Sequence, residues 1–257
     1  MIKITLSFLS VLMLVSCGQR QTNPWLDSVA DSIGYSVVKL NGFAGDLHIV
    51  VVDSAWNKLV ESRTHSSDLG QTCDFPDPYA GELLFPFLLA SVDSIDTGAY
   101  LPVGYNVFGG IPVVDNRAWG QDSLPLLQAM TQGSKVAAVE FAYRHYNHRR
   151  DDLRHHLAHF LPGQPIPEDL SFVKLCSGDF PVAPETLLEG YRMLVLTRPD
   201  IVGDSSGMAT ISSIENVLTG LYLGHNGPTC ILIVVHGSAT HTVSLMETIA
   251  SNIFSNH

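Results

Sequence analysis

The stretch YAGELLFPFLLAS, from Tyr79 to Ser91, places a carboxylate at the start of an apolar helix. Gly81 indicates a turn, and the apolar residues that follow provide a face for burial. Because Pro86 lacks a backbone donor, it fits only the first turn of a helix, so the helix begins close to Glu82. We therefore expect Glu82 at the positive end of the helix dipole, where its anion would be stabilised. This is either a core helix with a well-placed acid or an active-site helix whose nucleophile has been replaced.

Two other stretches carry Ser-x-x-Lys spacing, which places a serine hydroxyl and a lysine that could accept its proton on one helix face. They are SVVK, with Ser36 and Lys39, and SFVK, with Ser171 and Lys174. A pattern with two free positions also arises by chance, and we expect both to be accidental. Ser36 with Lys39 remains the alternative nucleophile pair.

A histidine-rich segment, RHYNHRRDDLRHHLAHF, presents the spacing of a metal site. His155 and His159 are four residues apart, so a helix would place both imidazoles on one face, with Asp151 or Asp152 as a third ligand. No HExxH-like base accompanies them, so a solvated, Arg-rich helix face is the favoured interpretation. We predict no cofactor and at most a weak metal site. The remaining histidines considered, which we expect to serve hydrogen bonding, are His48, His225, His236 and His241.

The N-terminus has the features of an export signal. Lys3 precedes an apolar run, and Leu14-Val15-Ser16-Cys17 resembles the bacterial lipobox, in which the chain is cut before a cysteine that then carries lipid. We predict a signal peptide over residues 1–16, lipidation of Cys17, a linker over residues 17–24 and a single domain over residues 25–257. The protein would be held by lipid to a membrane of the cell envelope, facing the periplasm.

Composition narrows the classes of partner. The net charge is −11 and no Lys/Arg block occurs, so nucleic acid is excluded as an expected partner. The four cysteines lack CxxC spacing, which excludes a zinc ribbon, and with Cys17 lipidated at most one disulfide can form.

The order of predicted elements indicates an α+β fold. After an opening helix over residues 25–40, two strands over residues 47–52 and 58–63 form a hairpin. A helical block over residues 123–146 follows, with Ser123 as N-cap and Pro125 as an early helical residue. A helix over residues 184–196 precedes strands over 217–224 and 229–237 and a final helix over 242–254. We therefore predict an antiparallel sheet formed by N- and C-terminal strands, with a central helical subdomain.

This succession resembles the transpeptidase domain of penicillin-binding proteins, the serine acyl-enzyme fold shared with β-lactamases. YAGELLFPF is similar to the family's PGSTFKPF-like run, and SLPLLQAMTQGSKVAAVEFA is similar to its LREALAQSSNVAFYELA-like segment. LCSGDFPVAPETLLEGYRML and DIVGDSSGMAT follow in the places of its GQG-VTPLQLA-AYA and GKTGTA segments. The resemblance covers residues 46–254.

The resemblance also implies that the catalytic motifs are degenerate. The nucleophile position is Glu82 and its lysine position is Phe85. The remaining motif positions are Gly133, Ser134 and Lys135 for SxN, and Ser205, Ser206 and Gly207 for KTG. Only the KTG glycine is kept, and phenylalanine cannot act as a base.

Three hypotheses follow for the function. The first is an inactive transpeptidase-like lipoprotein that binds an envelope protein partner or a peptidoglycan stem peptide, pairing it with the strand around Ser205 to Ala209. The second is an active serine acyltransferase or β-lactamase with a displaced nucleophile such as Ser36. The third is a metal-binding or purely structural envelope lipoprotein.

Overall fold

The fold is known from a computed structural model, which describes residues 44–65, 77–168, 171–177, 180–214, 217–238 and 242–255. The signal peptide, Cys17, the linker, the opening helix, Ser36, Lys39, Cys73 and His241 lie outside the described residues. In the described part, no helix is long and apolar enough to cross a membrane.

A five-stranded antiparallel sheet forms the frame of the molecule. Its strands are β1 (Ala44–Val52), β2 (Lys58–His65), β7 (Ser205–Ile214), β8 (Val217–Asn226) and β9 (Thr229–Ser238). The strand order is β2-β1-β9-β8-β7, so strands from the two ends of the chain meet at the β1–β9 pair. The predicted sheet of N- and C-terminal strands is thus confirmed, and β7 is an edge strand.

Helices fill the middle of the chain. A 3-10 turn, Gly81–Leu84, leads into α1 (Phe85–Ala90), and α2 (Leu126–Thr131), α3 (Lys135–Tyr146) and α4 (Arg150–Phe160) follow. Then come α5 (Phe172–Ser177), α6 (Pro184–Thr197) and α7 (Pro199–Val202), and α8 (Thr242–Ser255) closes the described chain.

The sheet is buried on both faces, which explains its continuous apolar runs. In β9, Leu232 and Val234 face the helical subdomain, whereas Ile231 and Ile233 face α8. On the helical side α1 is buried in the main core from Phe85 to Leu89, which its sequence FPFLLA predicts. This face of the sheet and α1 together hold the 3-10 turn in place.

The predicted start of the helical block is wrong. Ser123–Pro125 forms a short strand, β6, paired with β3 (Tyr100–Pro102), and Pro125 has an extended backbone that precedes α2. The block also consists of two helices rather than one. Gly133 has a positive φ of 69°, which ends the helical conformation between α2 and α3. The residue that caps a helix here is Ser134, whose Oγ accepts a hydrogen bond from the Ala137 N–H at 3.0 Å.

A second small hairpin lies beside this block. Strands β4 (Tyr105–Phe108) and β5 (Ile111–Val114) pair with each other, and Phe108 stacks on Tyr143 of α3. Asp115 directly follows β5, and its side chain accepts a hydrogen bond from the Val136 N–H at the N-terminus of α3. This hairpin therefore brings Asp115 and the residues after it to the site described next.

Candidate functional site

Glu82 is held inside the protein at the junction of the sheet and the helices. Gly81 adopts a positive φ of 49° in the turn before it, and the Ala80 N–H donates to the Phe180 carbonyl at 3.1 Å. The Glu82 residue is only 3% exposed. Its carboxylate is hydrogen-bonded by Thr210 of β7, so the turn is attached directly to the edge strand.

Burial rather than a helix dipole controls the ionisation of Glu82. Desolvation raises the pKa of its carboxyl group above the usual 4.5, and the nearby Lys135 ammonium opposes this only in part. The Lys135 Nζ lies 3.9 Å from Oε2, which is too long for a hydrogen bond. Oε2 is buried and accepts no hydrogen bond from any described residue. The expectation of a dipole-stabilised anion is therefore wrong, because the short 3-10 turn places the carboxyl group in the core rather than in solvent.

The residues at the predicted SxN positions lie against Glu82. A Cβ added to Gly133 would be 3.4 Å from the Glu82 Cγ, so a glycine leaves the room that the glutamate side chain occupies. Lys135 extends from the first turn of α3 toward the carboxyl group, and its Nζ also lies 3.3 Å from the Asn116 Oδ1. Ser134 is fully buried and faces away toward Asp115.

Asp115 joins the elements around the site, although it is not among the site residues predicted from the sequence. Its carboxylate accepts hydrogen bonds from four donors: Gly104 N–H at 2.7 Å, Trp119 Nε1 at 2.6 Å, Ser134 Oγ at 2.8 Å and Val136 N–H at 3.0 Å. Two of these donors belong to the first residues of α3 and its cap, where helix N–H groups lack partners of their own. The signal that could have found it is an aspartate directly after the apolar run IPVV and four residues before a tryptophan.

A cavity of about 450 Å³ opens beside Glu82. One wall is the edge strand β7, from Gly207 to Ile211, and the opposite wall is formed by the 116–117 segment and the α2–α3 turn. Its lining residues are Glu82, Asn116, Arg117, Thr131, Gln132, Gly133, Gly207, Met208, Ala209, Ile211, Val243 and Glu247. No strand in the described part of the chain pairs with the outer edge of β7, so backbone groups of this strand can face the cavity.

The two serines at the predicted KTG positions lie in a different place from the glycine. Ser205 and Ser206 line a more open groove of about 510 Å³ at the end of β7, together with residues of β8 and α8. Gly207 lines the cavity itself, and a Cβ there would come within 1.9 Å of the Tyr222 hydroxyl oxygen. A side chain at position 207 would therefore require the Tyr222 ring to move.

Ser206 of β7 takes part in a chain of hydrogen bonds that also includes Tyr191 of α6 and His225 of β8. The His225 Nε2 lies 3.1 Å from the Gly203 carbonyl and so carries the proton, which leaves Nδ1 to accept from the Tyr191 hydroxyl at 3.0 Å. The Tyr191 oxygen is 3.4 Å from the Ser206 Oγ. Burial lowers the pKa of His225, so its imidazole is kept neutral and serves hydrogen bonding, as expected.

Phe85, at the predicted lysine position, does not face the cavity. Its side chain is fully buried in the main core, and its ring centroid lies 6.0 Å from that of Phe141. A base is therefore absent from this position, and a lysine introduced there would enter an apolar core.

The other candidate residues are not brought into the cavity. Ser171 precedes α5, and Lys174 on that helix is exposed. His155 and His159 are exposed on α4, and the His155 Nδ1 lies 2.8 Å from the Asp151 carbonyl of its own helix. Within the described ranges, no group of three or more His, Cys, Asp or Glu residues could hold a metal ion. Cys176 and Cys230 are buried free thiols.

We predict that Glu82 lowers the stability of the protein at high pH. A carboxyl group whose pKa is raised by folding binds more protons in the folded state, so the free energy of unfolding falls as pH rises from about 4.5 to the folded pKa. Urea unfolding of the parent and of Glu82→Gln across this range should show the parent losing stability relative to the variant as pH increases.

The matched control is Glu168→Gln, because the side chain of Glu168 is 91% exposed. Its free energy of unfolding should stay within about 0.5 kcal/mol of that of the parent. A stability difference for Glu82→Gln that does not change with pH, or that shifts in favour of the parent as pH rises, would contradict the burial argument.

Asp115→Ala should lower the free energy of unfolding by about 3–5 kcal/mol, because it leaves several donors in the interior without an acceptor. Asp96→Ala is the control, since Asp96 is exposed and accepts one local hydrogen bond from the Gly98 N–H. Chemical denaturation measures both. A loss of less than about 1 kcal/mol for Asp115→Ala would show that the carboxylate does not hold these elements together.

Comparisons with known proteins bear on the whole fold. The sequence matches no protein-family model and no curated protein. A peptidoglycan glycosyltransferase from Burkholderia ambifaria superposes with a TM-score of 0.63 at 10% identity, over 85% of this chain and 90% of the other. Penicillin-binding protein 3 from Mycobacterium tuberculosis, complexed with aztreonam, gives 0.59 at 15% identity, over 91% of this chain and 78% of the other.

PonA1, a penicillin-binding protein of the same mycobacterium, gives 0.58 at 9% identity, over 84% of this chain and 75% of the other. At such low identities the likeness concerns the backbone alone, and it agrees with the sheet order and the helical subdomain described above. This chain has the fold of the penicillin-binding protein transpeptidase domain.

Proposed function

We propose that this protein is a catalytically inactive, transpeptidase-like lipoprotein of the cell envelope that binds an extended peptide without forming a covalent bond to it. The observation that carries the proposal is Glu82. A buried carboxyl group occupies the position that the resemblance assigns to the nucleophile, and the position assigned to its base, Phe85, lies in the apolar core.

The chemistry of these residues supports the loss of activity. A carboxylate is a poor acceptor of an acyl group in this setting, and the two described hydroxyl groups that contact a carboxylate here, those of Thr210 and Ser134, are buried and do not line the cavity. Thr210 is buried and hydrogen-bonded to Glu82, while Ser134 donates to Asp115. Removing a nucleophile that works as a unit with its base costs on the order of 10⁶ in rate in a comparable enzyme.

The cavity nevertheless retains features of a peptide-binding site. The edge of β7 can add an extended strand through backbone hydrogen bonds, a mode of recognition that requires no catalytic group. The occupant would be a segment of an envelope protein or a peptidoglycan stem peptide, and lipid on Cys17 would hold the protein at the membrane. No nucleic acid is expected to bind, because the net charge is −11.

The proposal predicts that benzylpenicillin forms no adduct. The full chain, purified in detergent, is incubated with excess drug beside an active penicillin-binding protein, and the intact masses are measured. The expected result is an unmodified chain whose circular dichroism shows that it is folded, with an adduct on the active control.

An added mass of one drug molecule would contradict the inactive assignment. Peptide mapping would then locate the nucleophile, and Ser36 with Lys39 is the pair to inspect first. Restoring activity by Glu82→Ser with Phe85→Lys is not a clean test, because the introduced ammonium group would be buried in the core and would disrupt folding.

A further inference from the structure

The cavity floor contains an acceptor without a donor. The Glu82 Oε2 is buried and accepts no hydrogen bond from the described residues, although unpaired buried oxygens are uncommon and costly in native proteins. Glu82 also lines the cavity beside β7. An acceptor in this position is suited to a donor carried by a ligand.

The nearest cation does not hydrogen-bond to this acceptor. The Lys135 Nζ is 3.9 Å from Oε2, and the Lys135 side chain is 13% exposed, next to Glu82 and Asn116 of the cavity lining. This side chain has the rotamer freedom to turn its ammonium group aside when a ligand enters. Donor and acceptor would then face the ligand side by side.

The charges around the cavity disfavour a ligand with a free carboxylate. Glu82 and Glu247 are acids on the lining, and the strand from Ser205 to Ala209 contains no lysine or arginine. Arg117 is the cation on the opposite wall, but its guanidinium group donates to the Gln132 carbonyl and stacks 4.3 Å from the Trp119 ring centroid. It is therefore already engaged.

Resting on the proposed peptide-binding function, we propose that this site recognises an uncharged carboxamide, whose N–H donates to the Glu82 Oε2 and whose carbonyl accepts from the Lys135 ammonium. A carboxylate offers only acceptors, so beside an ionised Glu82 it would leave Oε2 unpaired and add a second negative charge. The selectivity of the site is thus for an amide-terminated or internal peptide segment over a free C-terminus.

The test compares two probes that differ only in this group. N-acetyl-dialanine is prepared as the carboxamide and as the free acid, in L,L and D,D forms, and each is titrated calorimetrically into the full chain in detergent. Of the L,L and D,D carboxamides, the one that binds the parent more tightly should bind about tenfold or more tightly than the acid of the same stereochemistry. A site built to hydrogen-bond an N–H rejects an analogue that lacks it.

Two variants make the test specific. Since Thr210 holds one carboxyl oxygen of Glu82, Glu82→Gln should keep an oxygen there and turn its NH₂ group toward the ligand, so the preference should reverse toward the acid. Glu140→Gln is the control on α3, because Glu140 pairs with Arg144 at 2.6 Å outside the cavity lining. It should keep the parental preference.

The outcomes separate this inference from the function on which it rests. Equal or tighter binding of the acid by the parent would overturn the carboxamide assignment and leave peptide binding intact. An unchanged preference in Glu82→Gln would overturn the role of Glu82. Binding of neither probe form would overturn the peptide-binding function, and the carboxamide assignment with it.

Discussion

The arrangement of the site depends on the Asp115 carboxylate. It gathers donors from the start of the β4–β5 hairpin, from Trp119, from Ser134 and from the first turn of α3. In the low dielectric of the interior each of these hydrogen bonds fixes an element whose donor would otherwise be unpaired. Lys135 is thereby directed at Glu82, and the 116–117 segment is held across from β7. One buried acid thus holds together the elements that form the wall of the cavity across from β7.

A second buried acid defines what the cavity can do. Glu82 is attached to β7 through Thr210 and lies within the electrostatic reach of both Lys135 and Asp115. Desolvation favours its neutral form and the ammonium group favours its anion, so the carboxyl group is a hydrogen-bonding group rather than a nucleophile. On the proposed function, the transpeptidase fold here keeps a cavity and an edge strand without the chemistry of a covalent enzyme. Fold alone does not decide function, and here the site residues argue against the usual one.

Much of this frame could be predicted from the amino-acid sequence. Apolar runs such as TCILIVVHG predict strands buried on both faces, and the element order predicts a sheet that joins the two ends of the chain. The juxtaposition of Glu82, Gly133 and Lys135 follows from the resemblance, and the structure brings these three together. These features depend on local periodicity and element order, which a sequence displays directly.

The features that were not predicted from the sequence depend on tertiary contacts. Ser123 and Pro125 have the residue types of a helix start, yet pairing with Tyr100–Pro102 draws them into a strand. Phe85 lies three residues after Glu82, but its side chain packs in the main core rather than lining the cavity. Asp115 lies in a stretch without periodicity, and only the folded chain reveals its four donors.

The central claim is that the edge of β7 holds a peptide reversibly. Hydrogen exchange of the backbone amides from Gly207 to Ile211, measured by mass spectrometry with and without N-acetyl-dialanine amide, tests it directly. The account predicts saturable slowing of exchange in this segment, because outward N–H groups gain acceptors, and full return to the original rate when the peptide is dialysed away. Exchange in this segment that is unchanged at saturating peptide would contradict the account.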